Sequence, residues 1–164
     1  MIVVSDTSPV RGLANLGLLE LLRDIYGEVI IPEAVAAELR NPPPGQDIVE
    51  LASYPFVRVQ APSLSRNQSV FLDELDRGEA EAIVLALELG SDLILMDESA
   101  GRRRAKRLGL EIIGVLGVLL EAKKLGFVES VTPLMDQLRE DHRFFIGAKL
   151  RSEVIRRAGE SLEF

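Results

Sequence analysis

The stretch Ile2-Val3-Val4-Ser5-Asp6-Thr7-Ser8-Pro9 decides how the rest of the chain is read. Its apolar run, Ile2 to Val4, has the β-branched character of a strand buried on both faces. It ends in a carboxylate, Asp6, followed by two hydroxyls, Thr7 and Ser8, and by Pro9, which suits the first turn of a helix. Ligands of open α/β sheets gather at the carboxyl ends of the strands. A strand ending in Asp6 therefore aims an acid at the edge where chemistry takes place. A second apolar run, Leu93 to Met96, repeats the pattern and ends in Asp97 and Glu98.

Working outward, the segment from Pro9 to Tyr26 is leucine-rich at helical spacing, and Asn15 and Gly17 predict a break into two helices. Val29 to Ile31 reads as a short strand, Pro32 to Arg40 as a helix stopped by Asn41 and Pro42 to Pro44, and Gln46 to Ser53 as a short helix. Phe56 to Val59 reads as an edge strand, and Ser63 to Asp76 as a polar loop with a helical turn or two. Gly78 to Leu89 is a strong helix pattern with Gly90 as its C-cap. Ser99 to Leu108 is an arginine-rich helix closed by Gly109, and Glu111 to Ile113 a third core strand. Val115 to Leu125, Val128 to Glu140 and Lys149 to Ala158 read as further helices. Strands alternating with helices predict a three-layer α/β/α sandwich on a central, mostly parallel sheet. The expected organisation is a single domain over 1–164, with a C-terminal helical tail from about residue 144.

Composition narrows the chemistry. With 47% hydrophobic and 27% charged residues, the balance is globular rather than disordered. The absence of cysteine excludes disulfide scaffolds, thiolate metal sites and a Cys nucleophile. No leader-like N-terminus or membrane-length apolar run is present, so the expected location is the cytoplasm, with no membrane association. A net charge of −7 argues against a general nucleic-acid binder. The basic run Arg102, Arg103, Arg104, Lys106 and Arg107 fits local phosphate contacts beside an acidic site, and fits a solvated helix face equally well.

Asp6, Glu38, Glu81 and Asp97 have placements that a solvated surface does not easily explain. Asp6 and Asp97 end strands, where their repulsion would be costly without a cation between them. Glu38 lies near the end of an apolar helix, and Glu81 lies among alanines and aliphatics near a helix start. For Asp6 and Asp97 the bland alternative is helix N-capping. For Glu79 and Glu81 it is attraction to the positive end of their helix. Oxygen-only ligation at strand ends is what Mg²⁺ or Mn²⁺ requires. Such ions activate a bound water and neutralise phosphodiester charge, so no nucleophilic side chain is needed. His142, the only histidine, sits in polar surroundings and is not expected to be catalytic.

At these residues the chain resembles the PIN-domain family, and within it an uncharacterised branch related to VapC-type toxins. The motifs are Val3-Val4-Ser5-Asp6-Thr7-Ser8-Pro9, Glu38-Leu39, Glu81-Ala82-Ile83-Val84-Leu85-Ala86 and Leu95-Met96-Asp97-Glu98. The likeness continues through Gly78-Glu79-Ala80-Glu81-Ala82, Gly114 to Leu119 and Ala122 to Gly126, and covers nearly the whole chain in order. It implies a Mg²⁺- or Mn²⁺-dependent endoribonuclease acting on single strands, often paired with a protein antitoxin and often a homodimer. Asp6, Glu38, Glu81 and Asp97 are then the catalytic and metal-binding set, with Glu79 and Glu98 as alternates. VapC-type toxins often carry Asp where this chain has Glu81, and Glu79 competes for that role. Thr7 and Ser8 would orient the ligands from behind, and Arg102 and Arg103 would contact RNA phosphate. The competing expectation is a non-catalytic PIN-like module that binds RNA or a protein partner. A haloacid-dehalogenase-like phosphatase is discounted, because its second acid would fall at Ser8.

Overall fold

The computed structural model describes residues 1–63 and 75–161. Five strands form one fully parallel sheet: β1 (Val3–Ser5), β2 (Val29–Ile31), β3 (Val57–Val59), β4 (Leu93–Leu95) and β5 (Ile112–Ile113), in the order β3-β2-β1-β4-β5. β1 is central, with Val4 opposite Ile30 on one side and Ile94 on the other. The Asp6 N–H extends the β1–β4 pairing by donating to the Leu95 carbonyl at 2.9 Å. The order reverses between β1 and β4, so the crevice expected of such sheets opens between the ends of these two strands.

Side chains alternate across the sheet, and this splits the core in two. Val3 joins the larger cluster with Leu13, Leu22, Leu39 and Leu119. Val4 joins the smaller one with Ile83, Ile94 and Met96. Helices α1 (Thr7–Asn15), α2 (Leu21–Tyr26) and α3 (Glu33–Arg40) follow the first strands. Helix α4 (Arg77–Leu89) is buried without interruption from Gly78 to Ala86, which its alanine-rich, all-round apolar sequence predicts. Helices α5 (Ser99–Arg107), α6 (Val115–Lys124), α7 (Thr132–Asp141) and α8 (Ala148–Ala158) complete the chain. The three-layer α/β/α sandwich is the fold read from the sequence. No helix among the described residues is long and apolar enough to cross a membrane.

Two expected elements differ. In place of a helix over Gln46 to Ser53 there is only a 3₁₀ turn at Leu51–Ser53. The Val49 N–H is diverted to the Leu39 carbonyl at the end of α3, so a local helix cannot use it. Helix α7 begins at Thr132 rather than Val128, because Pro133 belongs in a first turn. The loop expected over Ser63 to Asp76 falls largely outside the described residues. The C-terminal segment is packed into the larger core: Val154 and Ile155 of α8 are buried there with Ile146.

Glu160 locks that packing. It accepts from the N–H groups of Val131 and Thr132 and from Lys123 Nζ, and Thr132 Oγ1 also donates to it. Burial pushes its carboxyl up, but these donors outweigh burial and bring its pKa down to about 2. A depressed carboxylate stabilises the fold above its unfolded pKa and loses that contribution as pH falls toward the folded one. Glu160→Gln is therefore expected to cost about 2 kcal/mol at neutral pH, with the gap to wild type narrowed at about pH 3 and closed only below the folded pKa of about 2. Urea unfolding at both pH values checks this. A gap that ignores pH would remove the carboxylate as its source.

Candidate functional site

The acidic group is assembled by three helix starts and one helix body at the carboxyl edge of the sheet. Asp6 is buried and sits at the N-cap position of α1, yet its side chain makes no capping bond there. The capping alternative thus fails for Asp6. Burial raises its pKa well above the usual carboxylate range, the Thr7 N–H pulls it back in part, and the charges of Asp76, Glu79 and Glu38 add to the rise. Glu38, on α3, is raised by burial and by Asp76, and is partly relieved by Thr7 and Arg11. The Thr7 hydroxyl reaches toward Glu38 without closing a full hydrogen bond, and its Oγ1 is buried and unsatisfied.

Gly78 marks where these acids meet. A Cβ at that position would lie 2.8 Å from Glu38 Oε1 and 3.5 Å from both Asp6 Oδ1 and Asp76 Oδ1. Oxygens from the end of β1, from α3 and from the start of α4 thus surround one methyl-sized position, left free by a missing side chain. Asp76 was not legible as part of this group from strand and helix patterns. The signal that would have found it is the capping box Asp76-Arg77-Gly78-Glu79. The Glu79 N–H donates to Asp76 Oδ1 at 2.8 Å, and the Asp76 N–H donates to Glu79 Oε2 at 3.1 Å.

Glu79 and Glu81 have different surroundings. Two residues correspond to about 200° of helix rotation, so their side chains leave α4 on nearly opposite faces. Glu79 is buried, and its carboxyl is raised by burial and by the charges of Asp76, Glu98 and Glu38. A Cβ at Gly101 in α5 would lie 3.3 Å from Glu79 Oε1. Glu81 instead pairs with Arg77 Nε at 2.7 Å and accepts from the Ala34 N–H at 3.3 Å. The structure brings Glu79, not Glu81, up to Asp6, Glu38 and Asp76.

Asp97 stands at the other side of the crevice. Its Oδ1 accepts from the Val115 N–H at 3.0 Å, capping α6 from outside, and presses on Gly114, where no Cβ intervenes. Its Oδ2 is buried with no partner among the described residues. Burial is the main cause that lifts its pKa to about 6, with Val115 and Arg102 opposing and Glu98 assisting. Glu98 is exposed at the start of α5 and is felt by both Glu79 and Asp97. Arg102 is pinned to the Met96 carbonyl at 2.8 Å, whereas Arg103 is exposed. Ser8 is half-buried in the first turn of α1, and His142 closes α7, which adds nothing to the acidic group. A groove of about 1060 Å³ opens beside Asp97 and Arg102 and runs along β5 toward Phe145.

The donor set is carboxylate oxygen throughout, which suits a hard divalent cation rather than a thiolate- or imidazole-seeking one. Asp6, Glu38, Asp76 and Glu79 are mutually repulsive, and burial penalises the charge on Asp6, Glu38 and Glu79, so a cation relieves both costs. Among the described residues, no three of these side chains converge as placed on one ligating point.

The α/β/α fold is of a nuclease type. The PIN-domain profile matches residues 2–160. The chain belongs to the PIN-domain family. No curated protein and no solved structure matches it.

Proposed function

We propose that this protein is a metal-dependent ribonuclease that hydrolyses RNA phosphodiester bonds. The observation that carries the proposal is the cradle at Gly78, where oxygens of Asp6, Glu38 and Asp76 all lie within 3.5 Å of the position a Cβ would take. Asp6, Glu38, Asp76 and Glu79 would hold Mg²⁺ or Mn²⁺, with Asp97 facing them across the switch point. Bound there, the ion supplies an activated water and neutralises charge on the phosphodiester in the transition state. The chain's own residues do the rest. Asp76 and Glu79 hold each other through their capping box, and the Val115 N–H orients Asp97.

The finer assignments, RNA as substrate and the toxin of a toxin–antitoxin pair located in the cytoplasm, are supported by the likeness to VapC-related chains. Helices α6 and α7 are rich in apolar residues, a composition that a dimer interface or the monomer core could each use. Their apolar residues, Val115, Leu119, Met135 and Leu138, are buried within the single chain, so dimerisation is supported by the family likeness alone. The second reading, a non-catalytic module binding RNA or a protein, is favoured by one feature. Asp76, Glu79 and Asp97 all have capping partners and so have structural work without any metal.

The test is cleavage of a single-stranded RNA in Mn²⁺, with and without chelator. Chelation is expected to lower the rate about 10³-fold or more and Glu79→Gln about 100-fold, whereas Glu81→Gln retains most activity. Cleavage that survives chelation would sink the metal-dependent reading. Cleavage that survives Glu79→Gln but not Glu81→Gln would return the role to Glu81. A folded protein that binds RNA without cleaving it would favour the module.

A further inference from the structure

Helix α3 is followed by Pro42, Pro43 and Pro44, and none of these has the N–H that a helix carbonyl four residues back accepts. The carbonyls of Glu38, Leu39 and Arg40 therefore lose their helical partners. Two of them are satisfied from elsewhere. The Val49 N–H donates to the Leu39 carbonyl at 3.0 Å. Arg11 Nη2 donates to the Glu38 carbonyl at 3.3 Å, and Arg11 Nη1 donates to the Asp47 carbonyl at 2.8 Å.

One planar guanidinium thus ties together α1, the last turn of α3 and the loop beyond it. The fork geometry of arginine allows this, and a single ammonium could not hold both carbonyls in the same way. The cation also lies at the negative end of α3, the sign that the helix dipole favours. Arg11 is partly buried, and burial lowers its pKa against the pull of Glu38 and Asp47. Because Arg11 lies in the body of α1 and Asp6 is the N-cap of the same helix, the clamp ties α3 to the helix that begins at Asp6.

We propose that Arg11 is a positioning residue of the acidic centre: it caps α3 in place of the N–H that Pro42 lacks, and so holds the Glu38 carboxylate against Gly78 and Asp6. The inference rests on the metal-centre reading given above. Arg11 itself touches neither substrate nor ion.

The test is calorimetric titration of Mn²⁺ into the full chain, alongside thermal melting in chelator. Arg11→Met is expected to weaken Mn²⁺ binding about 10- to 100-fold, as loss of a ligand's supporting hydrogen bond does, with only a small fall in metal-free melting temperature. Pro42→Ala returns an N–H four residues beyond Glu38. Combined with Arg11→Met, it is expected to recover part of the lost affinity, a rescue that a role in bulk stability would not show. Arg11→Lys keeps the charge but not the fork, and serves if Arg11→Met does not fold; an affinity between those of wild type and Arg11→Met is expected. Mn²⁺ affinity equal to wild type in a folded Arg11 variant would overturn the inference and leave the metal centre standing. A wild type that binds no Mn²⁺ would overturn both.

Discussion

Asp6→Asn is expected to abolish Mn²⁺ binding and to cut RNA cleavage by about 10³-fold or more, while leaving the metal-free protein at least as stable as wild type. A factor of this size corresponds to about 4 kcal/mol of transition-state stabilisation, within reach of an ion that activates water and neutralises phosphoryl charge. The stability half follows from the environment. Asp6 is buried, caps nothing, and is raised by burial and then by the charges of Asp76, Glu79 and Glu38. A carboxyl whose folded pKa is raised contributes stability at low pH and loses it as pH rises through that value. The amide removes this loss with little change in volume. Its advantage should therefore be largest at neutral pH and vanish in acid, where wild-type Asp6 is already protonated. Melting in chelator across about pH 4 to 8, beside calorimetry with Mn²⁺, measures both halves. A sharp fall in metal-free stability at neutral pH would make Asp6 a structural residue.

Gly78→Ala should separate function from stability more cleanly still. The position is helical, without a positive φ, so alanine is locally the better helix former by up to about 1 kcal/mol. Its Cβ, however, would stand 2.8 Å from Glu38 Oε1, closer than such contacts are found. The far end of Glu38 is the part free to move, and its movement takes one oxygen out of the cradle. The expected result is a loss of about 100-fold in Mn²⁺ affinity and cleavage, with a metal-free melting temperature close to that of wild type. Unchanged Mn²⁺ affinity in this variant would show that Glu38 is not a ligand. A collapse in stability would show that the cradle is part of the packed core.

The two experiments probe different aspects of the same centre. Asp6→Asn removes a charge and keeps the shape, whereas Gly78→Ala keeps every charge and changes the shape. Loss of metal binding in both would be hard to reconcile with a purely structural cluster. The capping box of Asp76 and Glu79 remains intact in each case, since neither substitution touches its two hydrogen bonds.

The sequence by itself determined the layered fold, because two double-faced apolar runs ending in Asp6 and Asp97 can be buried only in a parallel sheet covered on both sides. It also determined that acids gather at one sheet edge, since strand direction alone sends Asp6 and Asp97 there. The partners of those acids were decided by tertiary structure. Glu79 and Glu81 share the same local pattern, and only the rotation of α4 against the sheet turns one toward Asp6 and the other toward Arg77 and Ala34. Asp76 enters the group because the start of α4 is carried to the end of β1, a contact between segments about 70 residues apart. Arg11 reads as an ordinary surface arginine until α3 is placed beside α1. Pro42 already announced an unpaired carbonyl at Glu38, but which group would satisfy it depends on long-range packing, and that is absent from any local pattern.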